Sequence, residues 1–166
     1  MHFEITHDFE IPRDAIELAV ISPDLFSRLR TRLTNMEEVR QKQHVLKDGI
    51  LDRVWAYQAN VKVPVFAKKV VTREMLSWDE ISRYELDKHM AHWQVHVKPE
   101  WMKYFHAEGT YELQATGSAQ TRRVVKGDLD LRVRIVKGVA ERAILGEIRK
   151  TFEAEAATLR DLATLV

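Results

Sequence analysis

Trp78, Tyr84, Trp93 and Tyr111 fall on the more apolar faces of three strand-like segments, and Glu80 and Ser82 lie between the first two. Aromatic side chains of this kind line small-molecule sites, because Trp and Tyr join a large apolar body to one polar handle. A carboxylate facing such a lining loses hydration and holds its proton more tightly, which makes Glu80 a candidate acid or base. Gln41 and Gln43 are the polar groups that would orient a bound molecule. Further along, Ile148 and Phe152 would close the lining from a helix, with Phe26 and Leu29 at its entrance.

Other chemistries find less support. His89, His92 and His96 have helical spacing for three zinc ligands, but Trp93, Val95 and Val97 alternate with polar residues and Pro99 follows. On a strand His92 and His96 stand roughly 13 Å apart, too far for one ion, so no metal is expected. The serines lack a Gly-x-Ser-x-Gly elbow. No phosphate loop or dinucleotide fingerprint occurs, so no cofactor is expected. Two basic pairs, Lys68-Lys69 and Arg122-Arg123, could touch acidic lipid headgroups in transient membrane contact.

With 166 residues, the chain fits one domain able to bury about two thirds of its unfolded surface. Its 26 basic and 25 acidic residues leave a net charge of +1. Both signs are interspersed, which argues against a nucleic-acid surface. Zero cysteines exclude disulfides and thiol chemistry and suit a reducing cytoplasm. The first residues alternate apolar and charged without the continuous apolar core of a secretion signal. No window reaches the 18 or so apolar residues of a membrane span. A cytoplasmic location is the expectation.

The elements that must position these residues follow from hydrophobic period. Residues 2–11 alternate as a half-buried strand. Arg13 to Ile21 reads as a short helix with Ile16, Ala19 and Val20 inward. Ser22-Pro23-Asp24 starts a second helix, with Phe26, Leu29 and Leu33 as its buried stripe. Met36–Leu46 and Ile50–Asn60 flank Lys47-Asp48-Gly49, a hairpin turn. A turn at Asp48-Gly49 opposes Leu46 to Leu51, His44 to Arg53, Lys42 to Trp55 and Arg40 to Tyr57. The Gln41, Gln43, Val54 and Ala56 face is expected inward, with Arg40 and Lys42 over Trp55 and Tyr57 outside.

Val61 to Leu76 reads as a loop with at most a strand fragment. Strands follow at Ser77–Asp87, Met90–Val97, Phe105–Ala115 and Thr121–Val136, the third turning at Thr116-Gly117-Ser118. From Gly138 to Val166, Ala140, Ile144, Ile148, Phe152, Ala156, Leu159, Ala163 and Val166 form one helical stripe. Glu141, Arg142, Arg149, Glu153 and Arg160 are left to face water. This helix would span roughly 40 Å.

Strand, two short helices, about six antiparallel strands and a long closing helix make an α+β fold: a curved antiparallel sheet of about seven strands wrapped on the C-terminal helix. That order resembles the helix-grip fold of the START-like superfamily (SRPBCC, polyketide cyclase/pollen-allergen-like). The stretches Lys126-Gly127-Asp128-Leu129 and Val136-Lys137-Gly138-Val139-Ala140-Glu141-Arg142-Ala143-Ile144, with Lys47-Asp48-Gly49 and Arg53, resemble an uncharacterised bacterial group within it. The resemblance implies an apolar small molecule or lipid held between sheet and helix, by a binding or carrier protein more than by an enzyme. It assigns no catalytic residue. The alternatives are a cyclase or dehydratase using Glu80, Tyr84 or Arg53, and a packed interaction domain with no usable cavity. Ligand identity and oligomeric state do not follow from the sequence.

Overall fold

The computed structural model describes residues 1–60, 72–132 and 137–165. The expectations for 61–71, including Lys68-Lys69, and for 133–136 and Val166 lie outside the described residues.

Seven antiparallel strands form one sheet: β1 His2–Phe9, β2 Met36–Lys47, β3 Ile50–Ala59, β4 Ser77–Glu85, β5 Met90–His96, β6 Phe105–Gly117 and β7 Gln120–Leu131. Helices α1 Arg13–Ile21 and α2 Asp24–Arg30 follow β1, and α3 Lys137–Ala163 closes the chain. The sheet order is β1-β7-β6-β5-β4-β3-β2, so six strands meander and the first returns to pair with the last. This is the expected helix-grip architecture.

Local chemistry accounts for most boundaries. The turn between β2 and β3 sets Asp48 and Gly49 at φ 52 and 75, left-handed backbone that Asp and Gly adopt most readily. The Asp24 backbone N–H donates to Ser22 Oγ at 3.2 Å, which starts α2 as anticipated. In α2 the buried residues are Leu25 and Leu29, while Phe26 is only half-buried. Gly117 still pairs with Gln120, so the β6–β7 turn falls one residue later than Thr116-Gly117-Ser118 suggests.

The core lies on the concave side. Phe3, Ile5 and Phe9 of β1, Ala107, Tyr111 and Leu113 of β6, and Val125 and Leu129 of β7 meet Phe152, Ala156, Leu159, Leu162 and Ala163 of α3. Gly109 and Gly127 stand opposite each other across β6 and β7. They leave room for the Trp93 ring: a Cβ would lie 2.6 Å from its Cζ2 at Gly109 and 2.7 Å at Gly127. Exposure along α3 is uneven. Its C-terminal half is packed against α1 and α2, whereas Ile144, Leu145 and Ile148 are half-buried. Among the described residues no helix is long and apolar enough to cross a membrane.

Candidate functional site

The site begins with the register of one hairpin. From the turn, Leu46 opposes Leu51 and His44 opposes Arg53, as expected. A bulge between Gln41 and Gln43 then shifts the pairing by one. Gln41 faces Trp55 and Val39 faces Tyr57, in place of Lys42 and Arg40. The expected inward face is therefore reversed. Leu51, Arg53, Trp55 and Tyr57 point to the core, and Val54 and Ala56 lie on the opposite side with Gln43, which is exposed. Gln41 keeps an inward role, because its Oε1 accepts from Trp55 Nε1 at 3.3 Å. Arg40 and Lys42 pair with Glu38 and Asp79. The guanidinium over Trp55 belongs to Arg53, 3.7 Å from the ring centre.

Arg53 is only 3% exposed and is held from three sides. Its Nε donates to Ser82 Oγ at 3.2 Å across the β3–β4 pair. Nη2 stands 3.6 Å from Glu155 Oε1. Arg123, fully buried on β7, donates Nη1 to Glu155 Oε2 at 2.8 Å and Nη2 to the Phe152 carbonyl at 2.9 Å. One helix carboxylate thus bridges two strand guanidiniums beneath α3. This corrects the reading of Arg122-Arg123 as a surface pair. Arg122 alone is exposed, and it is engaged with Asp8.

Glu80 lies on β4 opposite Trp55 on one side and Val95 on the other. Burial pushes its titration up to about 7. Arg53 and Arg123 pull it down, and Glu155 adds to the rise. Tyr57 is buried and stacked on half-buried Trp78, with ring centres 5.4 Å apart. Burial first, then the carboxylates of Glu80 and Glu155, drive its ionisation well above the usual range. Burial likewise raises Tyr111. Among the described residues, the buried side-chain atoms without a hydrogen-bond partner include Arg53 Nη1, Tyr57 OH, Arg123 Nε and Trp93 Nε1 on this face, besides His7, Arg13 Nε and Trp101 Nε1. Leaving such a group unpaired costs about 1–3 kcal/mol, and the four on this face make it a polar site inside an apolar shell.

Of the sequence-derived candidates, Gln41, Trp78, Glu80, Trp93, Tyr111 and Phe152 share this concave face. Ile148 is half-buried on α3. Phe26 lies over Trp55, with ring centres 5.6 Å apart. Tyr84 is buried, and its OH donates to Glu17 Oε1 of α1 at 2.6 Å. It is thus tied into a clasp that His89 Nδ1 joins at 2.8 Å from the same oxygen. Leu29 is core, 1% exposed, and not an entrance residue. Gln43 is outside.

Trp55, Tyr57, Arg123 and Glu155 were absent from the candidates. The signals existed. Glu155 sits three residues after Phe152 and one before Ala156, the inward side of the helix. Arg123 has the strand parity of Val125 and Leu129.

Two surface concavities also occur. One of about 330 Å³ is lined by Arg40, Lys42, Gln58, Ser77, Asp79 and His96. One of about 600 Å³ is lined by Arg83, His92, Gln94, Glu108, Thr110 and Asp128. Most of their lining has the strand parity of the side away from α3, while Tyr57 and Trp78 also border the first and Trp93 and Gly109 the second. No group of three or more potential metal ligands occurs among the described residues.

A model of the family described as "Protein of unknown function (DUF2505)" matches residues 4–162. No curated protein sequence matches significantly. Among solved structures, the ZhuI aromatase/cyclase from Streptomyces sp. R1128 is similar at 13% identity and TM-score 0.65, covering 99% of this chain and 93% of that one. TTHA0849 from Thermus thermophilus has 14% identity and TM-score 0.64, with 99% and 98% covered. Norcoclaurine synthase from Thalictrum flavum has 15% identity and TM-score 0.58, with 95% and 86% covered. At these identities the likeness is one of fold, and that fold is START-like.

Proposed function

Because this chain belongs to the DUF2505 family and has the START-like fold, we propose that it binds an apolar small molecule, ring-bearing or lipid-like, between the sheet and α3. Trp78, Trp93, Ile148 and Phe152 supply the apolar walls, Phe26 over Trp55 supplies the lid, and Arg53, Tyr57 and Glu80 meet the ligand's polar end. The observation that carries this reading is the set of unpartnered buried polar atoms on the concave face. Natural cores leave few such groups, and those that persist call for a water, ion or ligand. The half-buried apolar residues on the N-terminal half of α3 support a mouth at that end. Burial of the ligand's apolar area would drive binding, at about 25 cal/mol per Å².

The test is native mass spectrometry of the purified protein with solvent extraction, followed by titration with an apolar fluorescent probe. A bound molecule, or a saturable probe site weakened by Phe26→Ala, supports the reading. A protein recovered empty, with no saturable site, overturns it.

One observation favours a second reading. A carboxyl that titrates near neutrality beside a guanidinium and a phenol is suited to proton transfer, and an aromatase/cyclase and norcoclaurine synthase share the fold. On that reading Glu80 is the acid or base of a cyclase- or dehydratase-like reaction. Substrate conversion lost in Glu80→Gln with binding retained would distinguish it from a carrier.

A further inference from the structure

The charges of the buried cluster narrow the ligand's chemical class. Arg53 and Arg123 share one carboxylate, Glu155. Arg53 bends over Trp55, the residue midway between it and Tyr57, and Glu80 stands directly across from Trp55 on β4. Arg53 Nη1 and Tyr57 OH, on side chains 97% and 96% buried by residue, have no partner among the described residues. A cationic side chain and a phenol on either side of Trp55 thus each keep one unpartnered buried atom, and the two groups lie near enough to shift one another's ionisation.

Resting on the binding role proposed above, we infer that the ligand is an apolar molecule ending in a single carboxylate, received by Arg53 and Tyr57. A carboxylate has two oxygens and about four acceptor positions, enough to take a guanidinium N–H and a phenolic O–H together. With Glu80 protonated, a neutral ligand would leave Arg53 and Arg123 to share Glu155 as their one counter-charge in a low-dielectric site. A phosphate would bring about −1.5 to −2 charges, more than the cluster can balance.

Glu80 is the competing anion. The groups facing it are Arg53 and Tyr57 from β3, Tyr111 from β6, Arg123 from β7 and Glu155 from α3. With Glu80 ionised, two guanidiniums face two carboxylates and no positive charge is left over. With Glu80 protonated, one positive charge remains for the ligand. Binding an anion beside Glu80 favours its protonated form, so above neutrality, where Glu80 starts ionised, about one proton is taken up from solvent. Since Glu80 titrates at about 7, affinity for an acid should be high below neutrality and fall above it.

The experiment is calorimetric titration of 2-naphthoate and decanoate, each with its neutral amide, at pH about 6 and about 8. It is repeated in buffers of different ionisation heat. The acids should bind at least about tenfold more tightly than the amides at the lower pH. They should weaken by about tenfold at the higher pH, with uptake of about one proton. Glu80→Gln should lose the proton uptake and abolish the fall in acid affinity between the two pH values. The preference between naphthoate and decanoate identifies the apolar body, ring or chain, and either supports the inference. Equal binding of acids and amides, or acid binding without pH dependence or proton uptake, overturns the inference while the binding role stands. Failure of all four molecules, with an empty native mass spectrum, removes the binding role itself. The buffer series on the unmodified protein decides the matter even if Glu80→Gln does not fold.

Discussion

Arg123 of β7 and Glu155 of α3 meet at 2.8 Å with essentially no solvent around either side chain. The pair pins the closing helix to an interior strand of the sheet. A second guanidinium, Arg53, stands 3.6 Å from the other oxygen of the same carboxylate.

Removing Arg123 leaves Glu155 with Arg53 alone, at 3.6 Å, while removing Glu155 leaves both guanidiniums without their carboxylate. Arg123→Met should cost about 3 kcal/mol in urea denaturation and Glu155→Gln about 3–5 kcal/mol. The double variant should cost less than the sum of the two single losses. Losses that simply add would show that the pair contributes packing and not charge balance.

Two shifted titrations oppose each other. Glu80 is raised from 4.5 to about 7, so the native state holds its proton more tightly than the unfolded chain, and stability declines as pH rises through that window. His7 is lowered from 6.5 to about 4, by burial first and then by Arg123. The native state therefore resists its protonation, and stability declines as pH falls from 6.5 to about 4. The slopes largely cancel in the parent protein. Glu80→Gln should expose the His7 slope, a gain of order 2 kcal/mol from pH about 4 to about 6.5, and His7→Asn the reverse. Urea midpoints across pH test it. Parallel pH profiles in all three proteins would contradict both assignments.

The paired glycines under Trp93 should differ in their tolerance. At Gly127 the nearest obstacles to a Cβ are side chains, Phe3 Cζ at 2.5 Å and Trp93 Cζ2 at 2.7 Å. At Gly109 the nearest is the backbone carbonyl of Lys126. Both Ala substitutions should destabilise by about 1–3 kcal/mol or more. Adding Phe3→Leu should rescue Gly127→Ala in part and leave Gly109→Ala unrescued, as read by thermal midpoint. Rescue of both would mean that the sheet, not the side chains, adapts.

Much of this was legible beforehand where the alternation is clean. Phe3, Ile5 and Phe9 on β1, and Val125 and Leu129 on β7, announce their inward face. The Asp48-Gly49 turn fixes the near end of its hairpin. The β2–β3 face was misassigned for two local reasons. A bulge at Gln41–Gln43 reverses parity beyond it, and a buried Arg53 looks like a solvent residue until its partner is known. Glu155, on the inward side of α3, could have been found from helical spacing, but an acid on an apolar stripe suggests a frayed edge when no cation is in view.

By itself the sequence determined the order and type of the elements, and with them the sheet closed by one long helix, because hydrophobic period and turn chemistry act over a few residues. Only the tertiary structure decided which polar side chains converge inside it. Arg53, Arg123 and Glu155 are 32 to 102 positions apart, and Glu80 acquires its altered titration from neighbours on other elements. Charge interaction depends on separation in space and on exclusion of water, and neither is written in the spacing along the chain.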